Sequence, residues 1–300
     1  MEASKSARCV YEVSRLHATL PRSLRLLLAI AWAVAALALP AQALAQGEPE
    51  FFEKPFAPEQ WELGRRFDES QLRYCVDKRD GDWEVSAAIA EAIAGALLLE
   101  PVPYVVESEL VLEDITRVYA LLLEHCNIHM GFKLIPEGYG TWAMVTRPYY
   151  ETDYVFVTDD PAIQSLADLE PGGTIAATIG TSAHVRLVSY LTAMPADQRW
   201  AAFPMGTNDV AIDAVLNGRA DVGPVWAPVL WGKQQQPEFA SLRVIDPAPL
   251  PPTTLGVGAL LLSNETFLRS AIDEAIAALR ADGTISGIID SFEFPASAAP

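Results

Sequence analysis

The chain has 300 residues, of which 51% are hydrophobic, and its formal net charge at neutral pH is −18. This length suffices for a large buried core, and the excess of carboxylates argues against binding of nucleic acid or anionic lipid, which requires clustered lysine and arginine. The sequence contains no phosphate-binding Walker loop, no G-x-S-x-G nucleophile motif and no zinc motif. We therefore expect no catalytic residues, no cofactor and no metal, and we predict that the chain is not an enzyme.

The N-terminus has the order of a secretory signal peptide. Arg22 and Arg25 supply positive charge, residues 26–39 form an uncharged apolar run, and Ala43-Leu44-Ala45 provides the small residues of a cleavage site. The run is short for a membrane span, although an uncleaved anchor helix is the alternative. We predict a signal peptide over 1–45, cleavage after Ala45, and a periplasmic mature chain with 16 basic and 37 acidic residues, a formal charge of −21.

The mature chain opens with a lead-in segment, residues 46–69, that is rich in glutamate, proline and phenylalanine. An alternation of strands and helices follows, with strands predicted at 72–76, 104–106 and 127–130 and helices at 83–99 and 115–124. Asp82 stands where the N-cap of the first helix belongs. This β-α-β-α-β order predicts a parallel sheet with helices on its faces.

The middle of the chain repeats the alternation. Strands are predicted at 154–158, 174–178, 221–226 and 255–262, and helices at 163–169, 181–192, 208–216, 267–280 and after Gly283. The whole pattern predicts an α/β fold with two lobes, whose two parallel or mixed sheets are joined by two crossover strands. Lobe 1 comprises residues 70–153 plus 258–300, and lobe 2 comprises residues 154–257.

Three segments resemble the amino-acid-type (family 3) periplasmic solute-binding proteins. They are Ser165–Ser182 with its S-L-A-D-L, G-T-I-A and G-T-S elements, Leu216–Val222 (LNGRADV) and Leu279–Ile285 (LRADGTI). Together with their order along the chain, they extend the resemblance over about residues 70–292. The resemblance implies the two-lobed periplasmic-binding fold of type II, with a ligand cleft between the lobes.

A narrower resemblance is to the quinoprotein-dehydrogenase-associated solute-binding-like proteins, the MxaJ/XoxJ type. It rests on Cys126–Gly131, Gly138-Tyr139, Thr146–Tyr150 (TRPYY), Tyr154–Val157 (YVFV) and Val225–Trp231 (VWAPVLW), and on Cys75 in the first strand. This resemblance implies a periplasmic accessory of a PQQ-dependent (methanol or alcohol) dehydrogenase system. The partner would be the dehydrogenase or its cytochrome.

Two other functions stay open. The first is an ABC-transporter substrate-binding protein for a small polar or anionic solute. The second is an enzyme similar to the periplasmic cyclohexadienyl dehydratases, for which Glu151 and Asp153 are the candidate acids. Three departures argue against a family-style amino-acid clamp: the loop 77–82 is short, Asn127 replaces an acidic residue, and residues 141–144, where the family's arginine would fall, contain none.

Ligands of open α/β sheets bind beyond the carboxyl ends of the strands. The candidate cleft residues at such positions are Asp77, Phe132, Tyr149, Thr181, Ser182 and Trp226. Thr181 and Ser182 begin a helix and could offer N–H groups to an anion, but they could equally be a plain helix cap. Trp226 could instead be a core aromatic. Tyr149 and Tyr150 are adjacent, and neighbouring strand residues face opposite sides, so we expect only one of them in the cleft.

The cysteines predict a disulfide. Cys9 leaves with the signal peptide, so Cys75 and Cys126 remain in an exported chain. Their strands are expected to be neighbours, although the alternatives are two buried thiols or a register that keeps them apart. His125, Cys126 and His129 do not predict a metal site, because Cys126 points away from the face that the two histidines share on a strand.

Overall fold

The computed structural model describes residues 67–107, 115–135 and 138–300. The predicted signal peptide, its cleavage site and most of the lead-in segment lie outside these ranges. Within them, no helix combines the length and the apolar character that crossing a membrane requires.

Eleven strands and seven α-helices alternate along the described chain. The first half comprises β1 Gln71–Asp77, α1 Trp83–Ala96, β2 Glu100–Val106, α2 Ile115–Glu124, β3 Ile128–Lys133, β4 Ala143–Val145 and β5 Tyr150–Thr158. The second half comprises β6 Thr174–Thr178, α3 Ser182–Ala193, β7 Ala201–Met205, α4 Asn208–Leu216, β8 Gly223–Trp226, α5 Ala227–Gln234, β9 Arg243–Ile245, β10 Thr253–Leu262, α6 Thr266–Ala281, α7 Thr284–Ser291 and β11 Ser297–Ala298.

The first sheet has the strand order β2-β1-β3-β10-β5-β11, with β4 also paired to β10. β1 is parallel to both β2 and β3, as the β-α-β alternation predicts, whereas β10 returns antiparallel to β3. The carboxyl ends of β1 and β3 therefore lie at the same edge of this sheet. Asp77 and Lys133 end these two strands.

Two long strands connect the halves of the molecule. β5 and β10 pair antiparallel over Tyr150–Tyr154 and Thr253–Val257, and β5 then continues beside β8 and β9. β6 and β7 form a parallel pair that meets β8 through a bridge between Ile175 and Val222. The resulting α/β architecture has mixed sheets on both sides of two crossover strands.

The buried apolar residues form four clusters. Two of them draw only on residues 156–250, and a third surrounds the Cys75–Cys126 disulfide with buried residues from 75–142 and 260–262. The largest cluster contains most of the core around α1 and α6 but also includes Tyr154, Ala183 and Trp226. The predicted lobes are therefore joined by packed side chains as well as by the crossover strands.

Several predicted elements differ from the observed ones. The predicted helix at 163–169 is a single 3₁₀ turn, Leu166–Asp168, which begins at a capping box between Ser165 and Asp168 and ends at Leu169, whose backbone is extended. Helix α5 and the strands β4, β7, β9 and β11 were not predicted from the sequence. Proline at the start of α5 is typical of a first helical turn and was the signal available for it.

Candidate functional site

Tyr149 and Tyr150 are both fully buried, and their rings meet edge to face with centroids 5.1 Å apart. The alternation rule does not separate them, because Tyr149 precedes the first residue of β5. The hydroxyl of Tyr149 accepts a hydrogen bond from the backbone N–H of Gly131 at 2.9 Å. Gly131 has a φ of +90°, a conformation that favours glycine.

Asp82 is the acceptor at the centre of a buried hydrogen-bond network. Its Oδ2 atom accepts from the hydroxyl of Tyr150 at 2.5 Å and from the hydroxyl of Ser86 at 2.9 Å. Its side chain makes no capping bond to α1, which corrects the simple N-cap interpretation. Burial raises the pKa of Asp82 and also raises the pKa of Tyr150 well above its ordinary value. The network ties the first loop to the start of the crossover.

Trp226 lies at the carboxyl end of β8, where it is almost wholly buried. Its ring lies 5.0 Å from that of Tyr154, its partner residue on β5. The ammonium group of Lys133 lies 4.7 Å from the centre of the Trp226 ring and donates a hydrogen bond to the Tyr154 hydroxyl at 3.1 Å. A cation held over an indole is favourable.

These side chains belong to the same buried cluster, and together with two further rings we call them the aromatic seam. Phe294 lies 5.3 Å from both Tyr150 and Trp231, ring centre to ring centre. The aromatic seam consists of Tyr149, Tyr150, Tyr154, Trp226, Trp231 and Phe294. It occupies the junction between residues of the two predicted lobes, beside the carboxyl ends of the strands where the cleft was predicted.

Two glycines bring the backbones of the predicted lobes into direct contact. A Cβ atom at Gly81 would lie 2.1 Å from the carbonyl oxygen of Pro228, and one at Gly232 would lie 3.1 Å from the Cα of Gly81. The short loop between β1 and α1 therefore packs against α5 without any side chain between them. This contact depends on the absence of a side chain at Gly81.

Asp77 is buried at the end of β1 and forms a bidentate pair with Arg79. The Nε and terminal nitrogen atoms of the guanidinium lie 2.9 and 2.5 Å from the two carboxylate oxygens, and the backbone N–H of Arg79 also donates to Asp77. A guanidinium binds a carboxylate strongly through two parallel hydrogen bonds, and the guanidinium of Arg79 already binds Asp77 in this way. Asp77 thus acts in the structure as a partner for Arg79.

The other predicted site residues lie apart from the aromatic seam or serve a local role. Phe132 packs edge-on against His129 and Tyr139 in the cluster around the disulfide. Thr181 caps α3, since its hydroxyl oxygen accepts from the backbone N–H of His184 at 3.2 Å. The hydroxyl of Ser182 is buried and has no hydrogen-bond partner within the described residues.

A cavity of about 750 Å³ opens beside the contact between the first loop and α5. Its walls include two tryptophans, three cationic side chains and three carboxylates: Trp83, Trp231, Lys78, Arg79, Lys233, Asp80, Glu84 and Asp209. Lys233 pairs with Asp209 at 2.7 Å, so part of this charge is already satisfied. The cavity combines aromatic and charged walls, which suit a small polar molecule.

No family model matches the chain, and no curated protein matches it either. Solved structures do match. One is the probable amino-acid ABC transporter extracellular-binding protein ytmK from Bacillus subtilis, with 13% identity over 74% of this chain and 97% of that chain and a TM-score of 0.57. The chain has the two-lobed periplasmic-binding-protein fold.

Two further structures have this fold. A histidine kinase sensor domain with similarity to periplasmic binding proteins matches at 14% identity and a TM-score of 0.55, covering 77% of this chain and 100% of that chain. The ancestral amino acid-binding protein AncCDT-1, a precursor of cyclohexadienyl dehydratase, matches at 19% identity and a TM-score of 0.53, covering 78% and 97%. At these identities the likeness concerns the fold, and the MxaJ/XoxJ-type resemblance stays a hypothesis from the sequence.

Sequence reasoning missed the residues that hold the junction together, namely Gly81, Asp82, Lys133, Tyr154 and Trp231. Tyr154 and Trp231 belonged to the segments YVFV and VWAPVLW, so an aromatic excess near the crossover was the available signal. Nothing in the local sequence indicated that Gly81 would contact α5. The predicted lobe boundaries and ligand-contacting roles remain predictions.

The pH dependence of stability tests whether His129 is buried as a neutral ring in the folded chain. Its Nδ1 lies 3.1 Å from the carbonyl oxygen of Met130, and its Nε2 has no partner within the described residues. Burial lowers the pKa of His129, so folding favours the neutral ring. As pH falls, His129 is protonated at a higher pH in the unfolded chain than in the folded chain. Stability is therefore lost as pH falls below the ordinary histidine pKa of about 6.5.

We expect His129→Leu to flatten the loss of stability between about pH 6.5 and pH 5, as measured by urea unfolding at several pH values. His184→Gln is the comparison variant: burial also lowers the pKa of the partly buried His184 on α3, so this change should flatten the slope less than His129→Leu does. An unchanged pH slope in His129→Leu would show that His129 titrates alike in the folded and unfolded chain.

Proposed function

We propose that this chain is a periplasmic, non-catalytic accessory protein that acts by docking to a PQQ-dependent alcohol dehydrogenase or its cytochrome. The observation that carries the proposal is the aromatic seam. The rings of Tyr149 and Tyr150 pack against each other, Trp226 packs against Tyr154, and all four are buried in one cluster at the junction where a family member would hold its solute. An amino acid could enter this part of the junction only after these side chains had moved aside.

The charges of the junction support the same function. Selective binding of an amino-acid carboxylate usually requires an arginine whose two N–H groups face the ligand. Arg79 is the arginine of the first loop, and its guanidinium pairs with Asp77. The start of α3 offers backbone N–H groups, but Thr181 already satisfies one of them. Arg79 and the start of α3 therefore offer a ligand carboxylate few free hydrogen-bond donors.

The partner is proposed from the sequence resemblance and from charge. A mature chain of charge −21 is steered toward a basic surface, and added salt should weaken that association. The segments TRPYY, YVFV and VWAPVLW resemble the dehydrogenase-associated proteins. The basic surface would therefore belong to the dehydrogenase or its cytochrome. Glu151 and Asp153, the candidate acids of an enzyme, take no catalytic role in this proposal.

The experiment combines two measurements on the mature protein. Calorimetry against the common amino acids should detect no micromolar binding, whereas the purified PQQ-dependent alcohol dehydrogenase of the same organism, or its cytochrome, should bind at low salt and dissociate at high salt. Micromolar amino-acid binding without capture of either protein would contradict the proposal and favour a transport receptor.

The transport receptor is the second candidate, and the cavity beside α5 favours it. The charged side chains and the two tryptophans of this cavity could bind a small polar or anionic solute at the edge of the junction. A solute there would contact Trp83 and Trp231, so titration should change their fluorescence. Trp231→Phe should remove part of that change. A solute that binds without any such change would place its site elsewhere.

A further inference from the structure

A groove of about 990 Å³ lies at the amino ends of the lobe 1 strands, away from the aromatic seam. Gln71 at the start of β1 and Asn127 just before β3 line it, together with Leu97, Leu99 and Phe267. Because these residues precede their strands, the groove is at the opposite edge of the sheet from Asp77 and Lys133. It is therefore independent of the junction between the lobes.

Two large apolar side chains stand exposed at this groove. Leu98 is 93% exposed between the two lining leucines, and Phe267, in the first turn of α6, is 88% exposed. Leu98 also has a φ of +57°, at the position after a helix cap where glycine or asparagine is usually found. Leucine at this position is unfavourable both for its backbone conformation and for its exposure to water.

The charged side chains of the groove all have one sign. Among the described residues that line it, the charged ones are Asp68, Glu69 and Glu265. Hydrogen bonds from Ser70 lower the pKa of Asp68, which keeps its carboxylate ionised. An apolar centre with an acidic rim is complementary to a surface that presents an apolar side chain surrounded by lysine or arginine.

We propose that this groove, with Leu98 and Phe267 beside it, is the surface through which the chain docks to a basic patch on its protein partner. The inference rests on the proposed function, whose partner is the PQQ-dependent alcohol dehydrogenase or its cytochrome. Leu98 and Phe267 supply the buried centre of the interface. The acidic rim supplies orientation and sensitivity to salt.

The test measures the affinity of purified variants for the purified dehydrogenase and cytochrome. Leu98→Gly removes the side chain while suiting the left-handed backbone, and Phe267→Ser removes the ring in a helical turn that tolerates serine. Each should weaken binding at least about tenfold, as expected for a central interface residue. Phe203→Ser is the matched control, since Phe203 is exposed on β7 of lobe 2, and its affinity should not change.

The charge of the rim has its own measurement. Glu69→Gln combined with Glu265→Gln should reduce the dependence of affinity on salt, compared with the unmodified chain. No variant should lose more unfolding free energy than is typical of surface substitutions, so that lost binding is not lost folding, and Leu98→Gly should be at least as stable as the unmodified chain because glycine suits its backbone conformation.

The outcomes separate the two proposals. If the unmodified chain binds the dehydrogenase or cytochrome and Leu98→Gly and Phe267→Ser bind equally well, the groove is not the docking surface and the proposed function stands. If the unmodified chain binds neither protein, both proposals fail. Two results would assign the groove to the chain itself and overturn the inference. One is faster hydrogen exchange at residues 97–99 and 266–268 after deletion of residues 46–66. The other is sedimentation of the unmodified chain as a dimer that Phe267→Ser dissociates.

Discussion

Gly81→Ala is expected to destabilise the chain by roughly 1–3 kcal/mol and to separate the first loop from α5. The added Cβ would lie 2.1 Å from the carbonyl oxygen of Pro228, and both sides of the contact are backbone, so no side chain can rotate away. Urea unfolding measures the loss of stability. Faster hydrogen exchange in residues 77–82 and 227–234 reports the separation.

Two glycine controls accompany this variant. Gly95→Ala places a methyl group in open space on α1 and should stabilise the helix by about 0.5–1 kcal/mol. Gly232→Ala meets the Cα of Gly81 at 3.1 Å, so its gain in helix propensity should be partly or wholly offset. A Gly81→Ala protein as stable as the unmodified chain, with unchanged exchange, would mean that the loop and α5 do not touch in solution.

Removal of the disulfide has the largest expected effect on stability. Cys75 and Cys126 are joined in the structure, are separated by 51 residues, and are both fully buried. The disulfide lowers the conformational entropy of the unfolded chain. Closing a loop of this length stabilises the fold by about 4 kcal/mol in the chain-entropy model. Cys75→Ala/Cys126→Ala should lower the free energy of unfolding by about that amount.

The unmodified protein, unfolded with and without a reductant, is the control that separates the link from the lost side-chain volume. Reduction alone should produce most of the effect, and the double variant should not respond to the reductant. Thiol titration of the denatured, unreduced protein should find no free thiol in the mature chain. Two free thiols would contradict the link.

The sequence by itself determined the order of the longer elements other than α5, and several of their ends. The predicted helix at 115–124 agrees with α2, and the predicted strand at 174–178 agrees with β6. Thr181 caps α3 through its hydroxyl, and Gly218 follows α4 with a φ of +63°. Helix caps and apolar periodicity act between residues a few positions apart, so they can be recognised without the rest of the fold.

The tertiary structure decided what those elements form where they meet. Asp82 looks like a simple cap in the sequence, but its carboxylate accepts a hydrogen bond from Tyr150, 68 residues later in the chain. Tyr149 and Tyr150 enter the same cluster, although the sequence predicted that they would face opposite sides of a strand. Gly81 contacts α5, a helix that the sequence analysis did not predict. Burial and packing between distant segments set these contacts, and local residue patterns carry no information about which segments come together.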